Sequence, residues 1–262
     1  MSTTERLDPD IIGANLKTKR VGRKILVYNS TSSTNDIAAG YAKNKENDGL
    51  AIFAEEQTAG RGRAGTKWHG GRADSILCSI LLTDCKCNAE LLSLACAVAV
   101  AEAIGKPANK QTKIKWPNDI IVSGKKVAGI LFESKAIDGS TVYILGIGIN
   151  CHQKKKSFPA ELQQTATSID MESHSIADRN SLSKRLLASV DHWLEMAQKD
   201  SDRVTNRWRD LSIQLGHGVT LLYNRRKFSG NCIGVDPEKG LILELESGAR
   251  KFFDAAHTSI VK

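Results

Sequence analysis

The sequence has no apolar run long enough to cross a lipid bilayer, and only five of its 262 residues are proline. Its most apolar stretch, Leu91–Ile104, is rich in alanine and bounded by Glu90 and Lys106, which predicts a buried helix rather than a membrane span. The polar segment 1–10 lacks the basic start and apolar core of a secretion signal. There is no proline-rich linker, low-complexity tract or internal repeat. We therefore expect a cytoplasmic protein with no membrane anchor, whose parts pack closely together.

Cysteine is also sparse, and its spacing excludes two common architectures. The six cysteines include no CxxC pair, so the sequence indicates neither a zinc site nor a disulfide scaffold. We expect reduced thiols.

What is present is the composition of an ordinary globular protein, with 41% hydrophobic and 25% charged residues. The net charge of +8 suggests an acidic or phosphate-bearing partner, although a solvated basic surface explains it equally well. Much of the positive charge falls in two clusters: Arg61, Arg63, Lys67 and Arg72, and then Lys110, Lys113, Lys115, Lys125 and Lys126.

Apolar patterning predicts a sheet with helices packed on one side of it, an α+β arrangement. Consecutive hairpins are expected in the middle of the chain because Ser123-Gly124 and Asp138-Gly139 are turn signals. The predicted strands are 24–29, 50–54, 76–82, 119–122, 127–133 and 141–148, and the predicted helices are 33–43, the segment from the Asn88 cap to Gly105, and 182–211.

After Gly216 the pattern changes to short strands separated by glycine and charged turns, which predicts a small β-barrel. We accordingly expect three parts: an N-terminal extension (1–23), a catalytic domain with a mixed or antiparallel sheet (24–211) and a C-terminal barrel (212–262).

The most specific stretch is GRGRAGTKWHG, residues 60–70, where glycines alternate with arginines. Glycine lets backbone amides approach an anion, and arginine offers forked donors to phosphate oxygens. Trp68 adds an aromatic wall for a flat ligand. A flexible surface loop that contacts RNA is the alternative, but this tract occurs once, between two apolar strands.

In a second stretch, KIKWPNDIIVSGKKVAGIL (residues 113–131), Pro117 fixes a turn that leaves Asn118 and Asp119 at a strand end. Asp119 can hold Mg²⁺ or orient an amine, and Lys126 can neutralise phosphate charge. A hairpin with solvated lysines is the alternative reading.

Two weaker signals are GIGIN (residues 146–150) and SSTN (residues 32–35). Small residues in GIGIN permit close approach, and Asn150 offers a donor and an acceptor, although strand glycines more often mark a bulge. SSTN precedes a predicted helix, so one of its residues is expected to be the N-cap.

Taken in order, SSTN, EEQTAGRGRAGTKW, KWPND, KVAGIL and GIGIN closely resemble the catalytic domain of biotin protein ligases over roughly residues 24–150. The C-terminal GNCIGVDPEKGLILEL resembles that family's small Src-homology-3-like barrel. The resemblance implies the class II synthetase-like biotin/lipoate ligase fold. It also implies ATP-dependent formation of biotinyl-5′-AMP and transfer of biotin to a lysine of a biotin carboxyl carrier protein, with biotin, ATP and Mg²⁺ as ligands.

The resemblance also assigns roles to individual residues. Arg63, Lys126 and Asp119 would be catalytic, with Asp119 a candidate Mg²⁺ ligand. The biotin and adenylate sites would include Ser33, Thr34, Asn35, Gln57, Gly60, Arg61, Gly62, Arg63, Trp68, Asn118, Lys126, Gly129 and Asn150.

The sequence departs from the family pattern in two places. Thr66 stands where the family loop often has a further arginine, and Lys67 follows it. The catalytic sheet is expected to begin near Lys24, which leaves no room for the helix-turn-helix domain of the regulatory members. We therefore expect a monofunctional ligase without specific DNA binding or membrane association, and a homodimer is compatible with the resemblance.

Two rival functions stay open at this point. A lipoate protein ligase would share the fold and the adenylate chemistry, and competition between biotin and lipoate would separate them. A basic nucleic-acid-binding module would explain the charge, but the sequence has no recognition helix or repeated aromatic platform.

Overall fold

The computed structural model describes residues 5–261, which form two β-sheets and the helices packed against them. The large sheet contains β1 (Ile25–Tyr28), β2 (Ala51–Ala54), β3 (Ser75–Leu82), β4 (Thr112–Lys115), β5 (Asp119–Val122), β6 (Lys125–Ile137) and β7 (Ser140–Asn150). The small sheet contains β8 (Gly218–Tyr223), β9 (Arg226–Asp236), β10 (Gly240–Leu245), β11 (Arg250–Phe253) and β12 (Thr258–Ile260). The α-helices are α1 (Pro9–Gly13), α2 (Thr34–Tyr41), α3 (Ala89–Gly105), α4 (Ile169–Ser173), α5 (Arg179–Lys199) and α6 (Ser201–Leu211).

The large sheet is mixed, as the sequence predicts. Its strand order is β1-β2-β3-β7-β6-β5-β4, with β1 and β2 parallel and every other neighbouring pair antiparallel. Helix α2 connects the parallel pair, which confirms the predicted strand, helix, strand unit. The edge strand β4 was not predicted, because its four residues alternate lysine with Thr112 and Ile114 and give only a short apolar signal.

Helices cover both faces of the large sheet, so the expectation that they lie on one side is wrong. Phe53 and Ile80 belong to the main core under α3, α5 and α6, whereas their neighbours Ile52 and Leu81 belong to a smaller cluster under α2. Successive strand side chains point to opposite faces, so the two clusters lie on opposite sides of the sheet. On its face, helix α2 packs mainly on β2, β3 and β7 and leaves the β6–β5–β4 part open.

The central helix α3 begins and ends as predicted. Asn88 Oδ1 accepts a hydrogen bond of 2.9 Å from the Leu91 amide, and the helix ends at Gly105. The predicted helix 182–211 is two helices, because Asp200 interrupts it and caps α6 by accepting from the Arg203 amide at 3.0 Å. Both α5 and α6 pack on α3.

The C-terminal strands form an antiparallel sheet of order β11-β10-β9-β8-β12. The sheet contacts the start of α3, where the Ala255 amide donates a hydrogen bond of 2.8 Å to Glu90. Residues 1–4 of the predicted N-terminal extension and residue 262 of the predicted barrel lie outside the described residues. Within 5–261, no helix is both long and apolar enough to span a membrane.

Candidate functional site

A cavity of about 550 Å³ lies on the face of the large sheet that α2 leaves open. Its floor includes a row of cross-strand neighbours, since Leu77 pairs with Gly148, Gly148 with Gly129, and Gly129 with Asp119. Residues directly opposite each other in antiparallel strands share a face. Two adjacent glycines in this row therefore leave a depression in the sheet surface.

The indole of Trp68 occupies part of this depression. An ideal Cβ at Gly148 would lie 2.5 Å from Trp68 Cε2, and one at Gly129 would lie 3.0 Å from Cζ3, so no larger residue fits beneath the ring in this position. Trp68 Nε1 is buried and has no hydrogen-bond partner among residues 5–261. A buried donor without a partner is costly, so a hydrogen bond to this nitrogen from a ligand oxygen would be favourable.

One wall of the cavity is polar and comes from SSTN and Gln57. Gln57 Oε1 accepts from the Thr34 amide at 2.7 Å and from Thr34 Oγ1 at 2.9 Å. Asn35 Oδ1 accepts from Ser79 Oγ at 2.5 Å, and Asn35 Nδ2 donates to Glu133 at 2.7 Å. These side chains are thus held in one orientation, which suits recognition of a small polar ring. Ser33 is the N-cap of α2 by backbone conformation, but its side chain makes no capping hydrogen bond.

The glycine-arginine loop folds back on itself instead of trailing into solvent. The Gly62 amide donates to the Thr66 carbonyl at 2.6 Å, and the Trp68 amide donates to the Gly60 carbonyl at 3.0 Å. Its tip turns through Ala64 and Gly65, whose φ angles are +51° and +75°. The Thr66 hydroxyl donates to the Arg63 carbonyl at 2.8 Å, so threonine at this departure from the family pattern helps to close the loop.

Both loop arginines are engaged. Arg61 makes two hydrogen bonds to Asp36, of 2.7 and 3.0 Å, and lies 3.7 Å from Glu133. Hydrogen bonding to Arg61 holds the pKa of Asp36 below its usual range and raises that of Arg61. Arg63 donates to the backbone carbonyls of Ala255 and of Thr258, the latter at 2.9 Å, and burial lowers its pKa.

A β-bulge in the KWPND hairpin directs Lys126 into the cavity. Ile120 pairs with Ala128 but Ile121 pairs with Lys126, so Val127 is an extra residue in β6. Val127 and Ala128 both enter the main core, and Lys126 faces the same side as Asp119 and contacts it at 2.5 Å. The Lys126 ammonium also lies 5.7 Å from the centre of a Trp68 ring.

The residues that line the cavity favour an anion. Five of them are lysine or arginine (Arg61, Arg63, Lys67, Lys126 and Arg225), whereas Asp119 is the one carboxylate. Cys78 also lines the cavity, but burial raises the pKa of its thiol, which therefore stays neutral and is a poor nucleophile. Binding of a negatively charged ligand is thus the chemistry to which this cavity is best suited.

The structure brings together all but two of the predicted site residues. Lining the cavity are Ser33, Thr34, Asn35, Gln57, Arg61, Gly62, Arg63, Trp68, Asn118, Asp119, Lys126 and Gly129. Gly60 lies outside the lining, where an ideal Cβ would be 2.9 Å from Gln57 Nε2. Asn150 also lies outside it and is buried, donating to the Thr167 carbonyl at 2.9 Å and accepting from Gln153 at 3.3 Å.

The sequence did not reveal the part of the cavity formed by the C-terminal sheet. Leu222, Asn224, Arg225 and residues 256–259 line it together with the glycine-arginine loop. No motif marks these residues, since they reach the site only through the packing of the two sheets. Gly146 and Gly148 also line the cavity, and the GIGIN motif was a signal for them.

Comparison with known proteins places this site in context. The model of the biotin/lipoate A/B protein ligase family matches residues 27–150. The bifunctional ligase/repressor BirA of Bacillus subtilis is 32% identical over 254 residues, which cover 95% of this chain and 78% of that protein. The biotin–[acetyl-CoA-carboxylase] ligase of Mycobacterium tuberculosis is 31% identical over 233 residues, 84% of each protein.

Among solved structures, the chain is similar to the biotin protein ligase of Aquifex aeolicus in complex with biotin and ATP. The TM-score is 0.79 at 27% identity, and the match covers 92% of this chain and 99% of that one. The similarity therefore extends through both sheets.

Proposed function

This chain belongs to the biotin/lipoate A/B protein ligase family, and we propose that it is an ATP-dependent biotin protein ligase. It would convert biotin to biotinyl-5′-AMP and transfer the biotinyl group to a lysine of the biotin carboxyl carrier protein of acetyl-CoA carboxylase. The observation that carries the proposal is the cavity itself, where five cations surround a glycine floor beside an ordered polar wall. The names of the relatives and the biotin and ATP complex of the Aquifex enzyme support it.

In this proposal the polar wall binds the ureido ring of biotin. Ser33, Thr34, Asn35 and Gln57 supply donors and acceptors at the end of the cavity near α2, and the Gln57–Thr34 hydrogen bonds fix their orientation. The biotin carboxylate would then point towards the loop arginines.

In this proposal the cations of the cavity bind the phosphates of ATP and offset their negative charge. Arg61, Gly62 and Arg63 would close over the activated carboxylate, and Lys126 would face the α-phosphate. Trp68, Asn118 and Gly129 would form the adenylate side, where the unpartnered Trp68 Nε1 offers a donor. Gly60 and Asn150 would act indirectly, by leaving space for Gln57 and by fixing the end of β7.

Mg²⁺ fits this site best as a companion of ATP. Asp119 gives it one carboxylate, and no cluster of three or more histidine, cysteine or acidic residues suited to a metal occurs within 5–261. Mg²⁺ commonly binds through one or two carboxylates together with substrate phosphates and water. We propose that Asp119 is its protein ligand and that the ion offsets phosphate charge when bound.

The reaction then needs no protein nucleophile. In the first step a biotin carboxylate oxygen attacks the α-phosphorus, the α–β phosphoanhydride bond breaks, and pyrophosphate leaves with the bonding electron pair. In the second step the neutral amine of the acceptor lysine attacks the acyl carbon, and AMP leaves as the amide forms and the amine loses a proton. The enzyme positions both pairs of reactants and excludes water from the anhydride.

The remaining parts of the proposal concern the small sheet and the partners. We infer that β8–β12 form the Src-homology-3-like barrel of the family. We also expect no specific DNA binding from residues 5–24, because their one helix has five residues and is too short to be a recognition helix. Light scattering of the purified protein would determine whether it forms the homodimer that the family resemblance allows.

The first experiment measures biotin-dependent cleavage of ATP to AMP and pyrophosphate, with and without a biotin carrier domain. We expect biotinyl-AMP to form and its biotinyl group to reach the carrier, and lipoate not to replace biotin. Turnover with lipoate instead of biotin, or no turnover by a folded sample with either acid, would refute the proposal.

A further inference from the structure

The tip of the β8–β9 hairpin, Asn224-Arg225, reaches the cavity from the small sheet. Tyr223 pairs with Arg226, so these two residues form the whole turn, and both have positive φ angles, +48° and +65°. Such two-residue turns favour Asn-Gly, because the second position is strained for any residue with a Cβ. Asn224 suits its position, but Arg225 does not.

The turn lies beside the segment 255–258, which also binds the glycine-arginine loop. The Asn224 amide donates to the His257 carbonyl at 3.5 Å, and Arg63 donates to the carbonyls of Ala255 and Thr258 on either side. A residue with a strained backbone conformation at a binding cavity suggests a functional role.

The other charged residues of this region show how the Arg225 side chain differs from most of the lining cations. Arg61 is bound to Asp36, Arg63 to backbone carbonyls and Lys126 to Asp119. Within 5–261, by contrast, no ion pair or side-chain hydrogen bond involves the exposed side chains of Arg225 and Lys67, which both line the cavity. Of these two cations, Arg225 is the one held in a strained turn of the small sheet.

We propose that Arg225 binds the β- and γ-phosphates of ATP, and hence the pyrophosphate that leaves. The inference rests on the proposed function and adds a residue of the small sheet to it. Lys126 pairs with Asp119 of the sheet floor, where the α-phosphate and biotin carboxylate would meet. The terminal phosphates would extend towards the mouth, where Arg225 provides a fork of donors that matches phosphate oxygens.

The test is Arg225→Gly, which removes the guanidinium and gives the turn its favoured Asn-Gly sequence. We expect its melting temperature to equal or exceed that of the wild type. In biotin-dependent ATP–pyrophosphate exchange, its KM for ATP should rise about 10- to 100-fold, the usual effect of losing a charge-assisted hydrogen bond. The KM for biotin and the transfer from supplied biotinyl-AMP to the carrier should not change.

Arg226→Ala is the matched control, because Arg226 is the next residue and carries the same charge, but does not line this cavity. It should leave the KM for ATP within about twofold. An unchanged KM for ATP in folded Arg225→Gly would overturn the inference, as would a defect confined to the KM for the carrier, which would make Arg225 a docking residue. Absence of exchange in the wild type would instead refute the proposed function.

Discussion

Lys126 and Asp119 form an ion pair of 2.5 Å inside the cavity, although regular strand pairing would have placed Lys126 on the opposite face of the sheet. The extra residue Val127 changes the direction of the side chain. The backbone around the bulge is supported from outside the sheet, because the Lys126 amide donates to the Thr165 carbonyl at 2.8 Å and the Thr167 amide donates to the Lys126 carbonyl at 2.9 Å. The segment between β7 and α5 therefore helps to position Lys126.

We predict that Lys126→Gln lowers kcat for biotinyl-AMP formation at least about 100-fold, because the transition state loses a fixed positive charge in a partly enclosed site. The measurement is ATP–pyrophosphate exchange at saturating ATP and biotin. Lys125→Gln is the control, since Lys125 precedes Lys126 but does not line the cavity. Equal losses in the two variants would indicate a general charge effect and contradict the role given to Lys126.

Gly148→Ala should strain the contact between the sheet and Trp68, whose indole leaves only 2.5 Å for the new methyl group. We expect a loss of about 1–3 kcal/mol in the free energy of unfolding by urea, as for other overpacked sites. Gly40→Ala, where no atom lies within 4 Å of the ideal Cβ, should not destabilise the protein. The loss should shrink when Trp68→Leu is combined with Gly148→Ala, and full additivity would show that the indole is not the cause.

Thr34→Val removes the hydroxyl that donates to Gln57 Oε1 and lies 2.7 Å from Ser79 Oγ, while it keeps the size of the side chain. If this wall binds biotin, the KM for biotin should rise about 2- to 10-fold, as expected for one neutral hydrogen bond, with little change in the KM for ATP. Ser32→Ala tests a hydroxyl of the same motif on the exposed side. A larger effect on ATP than on biotin would show that SSTN does not face the biotin ring.

Much of the fold was predictable because its interior strands are continuous apolar runs. The strand predicted at 76–82 is β3, which is buried over its whole length. Strand β4 was missed because it lies at an edge and buries only alternate residues. The break at Asp200 was also missed, because apolar residues keep a helical spacing on both sides of it and only the cap marks the end.

In the candidate site, the sequence predicted most of the lining residues but not the long-range contacts that position them. The alternation of glycine and arginine in residues 60–63 is a local signal, and three of these residues line the cavity. The bulge at Val127 and the approach of Arg225 depend on contacts between distant segments, which local pattern does not encode. Asn150 resembles a ligand-binding residue in sequence, but its side-chain amide donates a hydrogen bond to the Thr167 carbonyl and accepts one from Gln153.

The contact between the small sheet and α3 gives a prediction about pH. Glu90 accepts from the Ala255 amide at 2.8 Å, while its second oxygen is buried without a partner in residues 5–261, and burial raises its pKa above the ordinary 4.5. An acid with a raised folded-state pKa stabilises the protein below its unfolded pKa, and that contribution is lost as pH rises through the folded value. In Glu90→Gln the side-chain amide oxygen still accepts from the Ala255 amide, but position 90 no longer has an ionisable group. The fall in unfolding free energy from pH 4.5 upwards should therefore be smaller than in the wild type.

The comparison is urea unfolding across this range, with the exposed Glu46→Gln as the control. Identical pH profiles for Glu90→Gln and the wild type would mean that the carboxylate is hydrated and that its ionisation does not weaken the contact between the small sheet and α3.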